Sequence, residues 1–160
     1  MHIREFMSTN VKVCVPESSC ENAGEIMRRH RRGFLPVVDT LKNKRVIGMV
    51  TDRDIMLCLI HMDLPASQVA VKSCMTGSPP MISAESDLDV AISVMKRDAL
   101  YQLPVLDDGK CVGVLSLEDL ALAARRQWAY VGSRLNEQQV IEILEAIAVA
   151  RVNQKKRAWH

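Results

Sequence analysis

Aromatic residues are scarce in this chain, at 4% of 160 residues. That scarcity argues against a nucleic-acid surface that stacks bases on exposed rings. Charge of one sign is also lacking. Lys and Arg number 21 against 19 Asp and Glu, a net charge of +2, so there is no strong electrostatic pull toward nucleic acid. No long apolar run occurs. The longest mostly apolar stretch, residues 141–149, is broken by Glu142 and Glu145 and falls far short of the about 20 residues a membrane-spanning helix needs. Met1, His2, Ile3, Arg4 and Glu5 lead into no apolar segment of the kind a secretory signal has. A cytoplasmic protein with no membrane attachment is expected.

The five cysteines, Cys14, Cys20, Cys58, Cys74 and Cys111, form no C-x-x-C pair, and no histidine stands at zinc-finger spacing from them. They are expected to be free thiols, mostly small buried apolar groups, with no metal bound. Only Cys20, near a helix start, stands where a thiol pKa can be depressed. No nucleophile–base pair, metal cluster or pair of acids occurs at workable spacing, so no catalysis is expected.

What is present is a globular composition, 48% hydrophobic and 25% charged, and an internal repeat. Met7-Ser8 recurs as Met75-Thr76, 68 positions later. At that offset ten of the 33 positions from Met7 to Asp39 are identical, where ordinary residue usage gives roughly two. Leu35-Pro36-Val37 falls on Leu103-Pro104-Val105, Met27 on Met95 and Asp39 on Asp107. Three extra residues around Leu41-Lys42-Asn43 then reduce the offset to 65, which brings Gly48 onto Gly113, Thr51 onto Ser116 and Asp54 onto Asp119.

Each copy predicts one β-α-β-β-α unit. First strands are expected at residues 11–15 and 81–83. First helices follow from the capping-box-like Ser18-x-x-Glu21 and Ser86-x-x-Asp89, with apolar faces of Cys20, Ala23 and Met27, and of Leu88, Ala91 and Met95. Buried strands enter through Pro36 and Pro104, a residue tolerated at a strand's first position. Turns are expected at residues 40–44 and at Asp108-Gly109, third strands at 46–50 and 111–115, and second helices from Thr51 and Ser116. The organisation is thus a first repeat at 7–61, a linker at 62–74 that turns at Pro65-Ala66-Ser67, a second repeat at 75–126 and a C-terminal helical extension at 127–160. Asn136 and Gln139 form a capping-box pattern for that last helix. Its early Glu137, Glu142 and Glu145 and late Lys155-Lys156-Arg157 suit the helix dipole. Its stripe of Val140, Ile143, Leu144 and Ile147 has to pack on the rest of the chain or on a second subunit.

The segments Leu35-Pro36-Val37-Val38-Asp39 and Gly48-Met49-Val50-Thr51-Asp52-Arg53-Asp54-Ile55 resemble the signature of CBS domains. Leu103-Pro104-Val105-Leu106-Asp107 and Gly113-Val114-Leu115-Ser116-Leu117-Glu118-Asp119-Leu120 resemble it too. The resemblance covers about residues 7–126. It implies an α/β (α+β) fold of two pseudo-symmetric repeats packed sheet to sheet, commonly homodimeric. It also implies a cleft between the repeats for an adenosine-containing ligand such as AMP, ADP, ATP or S-adenosylmethionine. A separate protein effector would read the binding state.

The residues are consistent with such a ligand. Gly48 admits close approach of a ligand or of neighbouring backbone. Thr51, at a strand end and helix start, can help hold a phosphate, and the Asp54 carboxylate can accept from both ribose hydroxyls. The resemblance carries these roles to Ser116 and Asp119 as well. Equally, Thr51-x-x-Asp54 and Ser116-x-x-Asp119 are helix caps in their own right. Arg53 favours phosphate where Glu118 in the second copy repels it, so the first copy is expected to be the better nucleotide site. The resemblance places adenine against Val11, Val13 and Phe34 beside Leu35 and Pro36, or against Met81, Tyr101 and Gln102 beside Pro104. Each of these also suits ordinary packing. Kinase regulatory subunits of this family often carry His-Arg before Leu-Pro-Val, where this chain has Gly33-Phe34 and Tyr101-Gln102. The run from Arg28 to Arg32 is by default a solvated helix end, one or two members of which can attract an anion. The alternative to a ligand sensor is a ligand-free dimeric interaction module.

Overall fold

The structure is a computed structural model that describes residues 2–127 and 137–158. The first repeat gives α1 (Cys20–His30), β1 (Phe34–Val38), β2 (Val46–Thr51) and α2 (Asp52–Met62). After a 3-10 turn at Ala66–Gln68 and another at Val71–Ser73 come β3 (Thr76–Gly77), β4 (Ile82–Ser83), α3 (Leu88–Asp98), β5 (Gln102–Asp107), β6 (Lys110–Ser116), α4 (Leu117–Gln127) and α5 (Glu137–Ala158). Two three-stranded sheets result, ordered β1-β2-β3 and β4-β5-β6. The mixed fold is the expected one, with its C-terminal helix.

The chain divides into two compact units, and they do not follow the repeat boundaries in sequence. One unit, built on the first repeat, holds residues 10–79 and 108–111. The other, built on the second, holds residues 1–9, 80–107 and 112–160. Each repeat's opening segment therefore folds into the unit of the other. In the first-repeat unit Met49 pairs with Thr76, and in the second-repeat unit Val114 pairs with Ser8. These two pairings are the same one, displaced by the repeat offsets. Ser19↔Ala70 and His2↔Asp87 are likewise equivalent, as are Cys14↔Val37 and Ile82↔Val105.

Glycine makes the exchanged pairing possible. A Cβ on Gly48 would stand 2.9 Å from the Thr76 carbonyl oxygen and 3.0 Å from Met75 Sδ. One on Gly113 would stand 2.9 Å from the Ser8 carbonyl oxygen and 2.8 Å from Met7 Sδ. The close approach anticipated at Gly48 is thus neighbouring backbone.

Both first helices bury the predicted faces, Cys20, Ala23 and Met27 in α1 and Leu88, Ala91 and Met95 in α3. Their caps differ from expectation. Ser19, not Ser18, caps α1 by accepting from Asn22 N–H at 3.1 Å; the two adjacent serines offer the same chemistry, and register decides between them. Asp87 is the N-cap of α3, without a side-chain cap bond. The expected strand at 11–15 reduces to the single bridge at Cys14. Pro36 and Pro104 lie inside β1 and β5 rather than at their first residues. β1 is an edge strand whose outer side, among the described residues, is bridged only at Cys14, and β4 pairs with β5 from Val105, just past Pro104, so neither proline removes a needed donor. Asp108 and Gly109 both take positive φ, 49° and 72°, the geometry of a tight hairpin turn.

The first-repeat core gathers Cys14, Leu35, Val37, Val50 and Ile55 with Val69 and Val71. The second gathers Leu103, Val105, Leu115 and Leu120 with Ile3, Ile143 and Ile147. The α5 stripe therefore packs on its own chain, with Val140 half-buried and Leu144 exposed. Asn136 lies outside the described residues, as do the side chains of Lys155, Lys156 and Arg157.

Candidate functional site

Two strand-to-helix junctions carry the candidate polar residues. Where β2 becomes α2, Thr51 Oγ1 accepts from Asp54 N–H at 3.0 Å, and Asp54 Oδ2 accepts from Thr51 N–H at 3.0 Å. Where β6 becomes α4, Ser116 Oγ accepts from Asp119 N–H at 3.1 Å and Asp119 Oδ2 accepts from Ser116 N–H at 2.8 Å. Both are complete capping boxes, each cap worth about 1 kcal/mol. The capping role is thus present in both copies. It occupies one carboxylate oxygen of each aspartate and leaves the second geometrically distinct from the cap.

The junctions differ in the hydroxyl. Ser116 Oγ also donates to Asp119 Oδ2, at 2.6 Å, so it spends its hydrogen inside the cap and is only 8% exposed. Thr51 is half-buried and, in its bonds to Asp54, uses its hydroxyl only as an acceptor. Arg53 and Glu118 are both exposed.

Beside the first junction lies a shallow cavity, wide open to solvent, of about 450 Å³ and lined by Gly24, Met27, Arg28, Arg31, Arg32, Gly33 and Asp52. It places part of the Arg28–Arg32 run next to the start of α2, whose Asp52 N–H donates to the Gly33 carbonyl at 2.9 Å. Arg31 closes α1 with a left-handed φ of 50°. Glu25 binds Arg28 and Arg29, whose hydrogen bonds hold its carboxyl down to about 2. Thr51, Arg53 and Asp54 do not line this cavity; only Asp52 joins it to their junction.

The second copy repeats the backbone without the charge. Leu117 N–H donates to the Tyr101 carbonyl at 2.8 Å, and Ala99 closes α3 with a φ of 53°. Yet Ala99, Leu100 and Leu117 stand where the first copy has Arg31, Arg32 and Asp52, and Lys96, the counterpart of Arg28, is ion-paired with Glu142 of α5. Sequence reasoning compared Arg53 with Glu118 and missed this larger difference. Aligning Arg28–Arg32 with residues 96–100 would have found it.

The apolar candidates divide by exposure. Val11 and Val13 are half-buried. Phe34, Leu35, Pro36 and Pro104 are buried, Phe34 at 2% exposure, so these pack the interior. In the second copy Met81 and Tyr101 are exposed and Gln102 is half-buried. The Arg151 guanidinium of α5 lies over the Tyr101 ring, 5.2 Å from its centre, a cation–π contact.

Cys20 does not have the depressed pKa expected of a helix start. Burial raises it, outweighing a lowering hydrogen bond from Cys74. Burial likewise pushes Cys14 up to about 12, as suits a core thiol. Among the described residues no group of three or more His, Cys, Asp or Glu is arranged to hold a metal ion, and no helix is long and apolar enough to cross a membrane.

Two sheets of the same pairing, each running into a capped helix at Gly-x-x-Thr/Ser-x-x-Asp, define a tandem repeat of one structural unit. A family model for the CBS domain matches residues 3–61 and 71–126, and the chain belongs to that family as a CBS-pair regulatory module. It is 31% identical over 124 residues to the CBS domain-containing protein YhcV of Bacillus subtilis, covering 75% of this chain and 83% of that one. A conserved CBS domain protein of unknown function from Thermoplasma acidophilum has the same fold, with a TM-score of 0.72 at 22% identity, covering 91% of this chain and 75% of that one. The structure of CBSX2 in complex with AMP matches with a TM-score of 0.67 at 27% identity, covering 78% and 96%.

Proposed function

We propose that this protein is a non-catalytic regulatory module that binds an adenosine-containing ligand at the β2–α2 junction and signals in trans to a separate protein. The observation that carries the reading is the first junction itself. Thr51 and Asp54, both half-buried, flank Asp52 closely in sequence, and Asp52 lines the cavity together with Arg28, Arg31 and Arg32. Asp54 would take the ribose hydroxyls, and Thr51 with the α2 N-terminus and the nearby arginines would take phosphate. The arginines favour AMP, ADP or ATP over the cationic S-adenosylmethionine. The AMP complex of CBSX2 supports the same ligand class. The second junction, with its hydroxyl closed onto Asp119 and no arginines at the equivalent cavity positions, suits at most an uncharged nucleoside.

Homodimerisation belongs to the proposal: Met56, Leu57 and Ile60 of α2 are exposed at 52%, 48% and 71%, an apolar surface that association can cover. Calorimetry tests the binding. AMP should give measurable heat with the wild-type chain, and Asp54→Ala should weaken it about ten- to a hundredfold, the loss of one or two hydrogen bonds to a charged acceptor. Asp119→Ala removes an equivalent cap and should leave AMP affinity within about twofold. No heat with AMP, ATP or S-adenosylmethionine, or equal affinities for wild type and Asp54→Ala, would sink the reading.

A further inference from the structure

Three of the five thiols meet in the first-repeat unit, away from the junction. Cys20 is the first residue of α1, Cys74 follows the 3-10 turn at Val71–Ser73, and Cys58 lies on α2. The Cys20 and Cys74 sulfurs are 3.4 Å apart, although 54 positions separate them in sequence. The backbone holds them there. Cys20 N–H donates to the Val69 carbonyl at 2.8 Å, Val71 N–H to Ser18 at 2.8 Å, and Lys72 N–H to Pro16 at 3.0 Å. Residues 16–20 are thus laced to residues 69–72. Cys74 N–H is fixed in turn to the Val71 carbonyl at 2.9 Å. Cys58 donates to the Ser73 carbonyl at 3.5 Å and also interacts with the Cys74 thiol, which makes it the competing partner.

We propose that Cys20 and Cys74 form a modification site, closing on oxidation to a disulfide that ties the start of α1 to the segment entering β3. A sulfur–sulfur bond of about 2.05 Å asks the two side chains to close the remaining gap between groups already in contact. With hydrogen peroxide as oxidant, the half-buried Cys74 thiol takes one oxygen to become a sulfenic acid as the peroxide O–O bond breaks and one water leaves. Cys20 then attacks that sulfur, the S–O bond breaks, and a second water carries off the oxygen and the Cys20 proton. Two thiols lose two electrons and two protons, and the peroxide is reduced to water. Burial raises both thiols above their ordinary pKa, so the reaction is slow at neutral pH and faster in alkali.

The test treats the full reduced chain with millimolar hydrogen peroxide, then alkylates, digests and weighs the peptides. Free thiols should fall from the five present to three, with a Cys20–Cys74 cross-linked peptide and with Cys58 alkylated. Cys74→Ser should abolish that peptide, and Cys58→Ser should keep it. In denaturant, where nothing holds the two sulfurs together, the Cys20–Cys74 peptide should fall at least tenfold as a share of all cross-linked pairs. Full alkylation of Cys20 and Cys74 after native oxidation, a Cys58–Cys74 peptide in their place, or loss of the cross-link in Cys58→Ser overturns the assignment.

Discussion

Ile3→Ala should destabilise the second-repeat unit by about 2–5 kcal/mol, the cost of truncating a fully buried isoleucine, although Ile3 lies at the start of the first repeat's match in sequence. Ile3 is 0% exposed in a cluster with Leu88, Leu103 and Leu115. Its N–H donates to the Ser86 carbonyl, and Arg4 N–H to Ala84, both at 3.1 Å. Arg4 also bridges Glu85 and Asp107, an exposed network that adds little beside the core contact. The opening segment then pairs Ser8 with Val114 in both directions, at 2.9 and 3.0 Å. Hydrogen exchange localises the effect. Amides of β6 and α4 should lose protection while those of β1 and β2 keep theirs. The reverse order would mean that the opening segment belongs to its own repeat.

Deleting residues 137–160 should cost the second-repeat unit its cooperative unfolding. Ile143 and Ile147 are buried at 0% and 3% exposure in the same cluster as Leu120 and Ala124. Losing two such side chains removes about 4–10 kcal/mol, most of the 5–15 kcal/mol that stabilises a typical domain. Lys96 would also lose Glu142. Thermal melting followed by circular dichroism should show the first-repeat unit still folding and the second melting broadly or precipitating. The milder Ile143→Ala should move the same transition in the same direction. A truncated chain that melts like the full one would make α5 an appendage.

The repeat made most of this architecture legible. Leu-Pro-Val, the glycines and the Thr/Ser-x-x-Asp pairs repeat at fixed offsets, so two strands, a turn and a capped helix could be placed twice. Exchange of the opening segments was not legible, because the offsets that relate Ser8 to Thr76 and Met49 to Val114 are satisfied equally by local and exchanged pairing. Only packing distinguishes them, Met7 against Gly113 and Met75 against Gly48. The junction residues were legible as types, yet their use as complete caps was one of two chemistries the same spacing permits. The asymmetry of the copies was only half seen: Arg53 and Glu118 lie in the motif, whereas the arginines lining the cavity come from the end of α1, outside it. The shared environment of Cys20 and Cys74 left no signal in sequence, since proximity across 54 residues arises from the fold.

The most direct test of the account is a crystal structure of the full chain grown with AMP. The account predicts the ribose hydroxyls on the Asp54 carboxylate and the phosphate between Thr51 and the arginines at the end of α1, with the β6–α4 junction free of nucleotide. AMP seated on Asp119 instead, or a β2–α2 junction without nucleotide at saturating AMP, would contradict it.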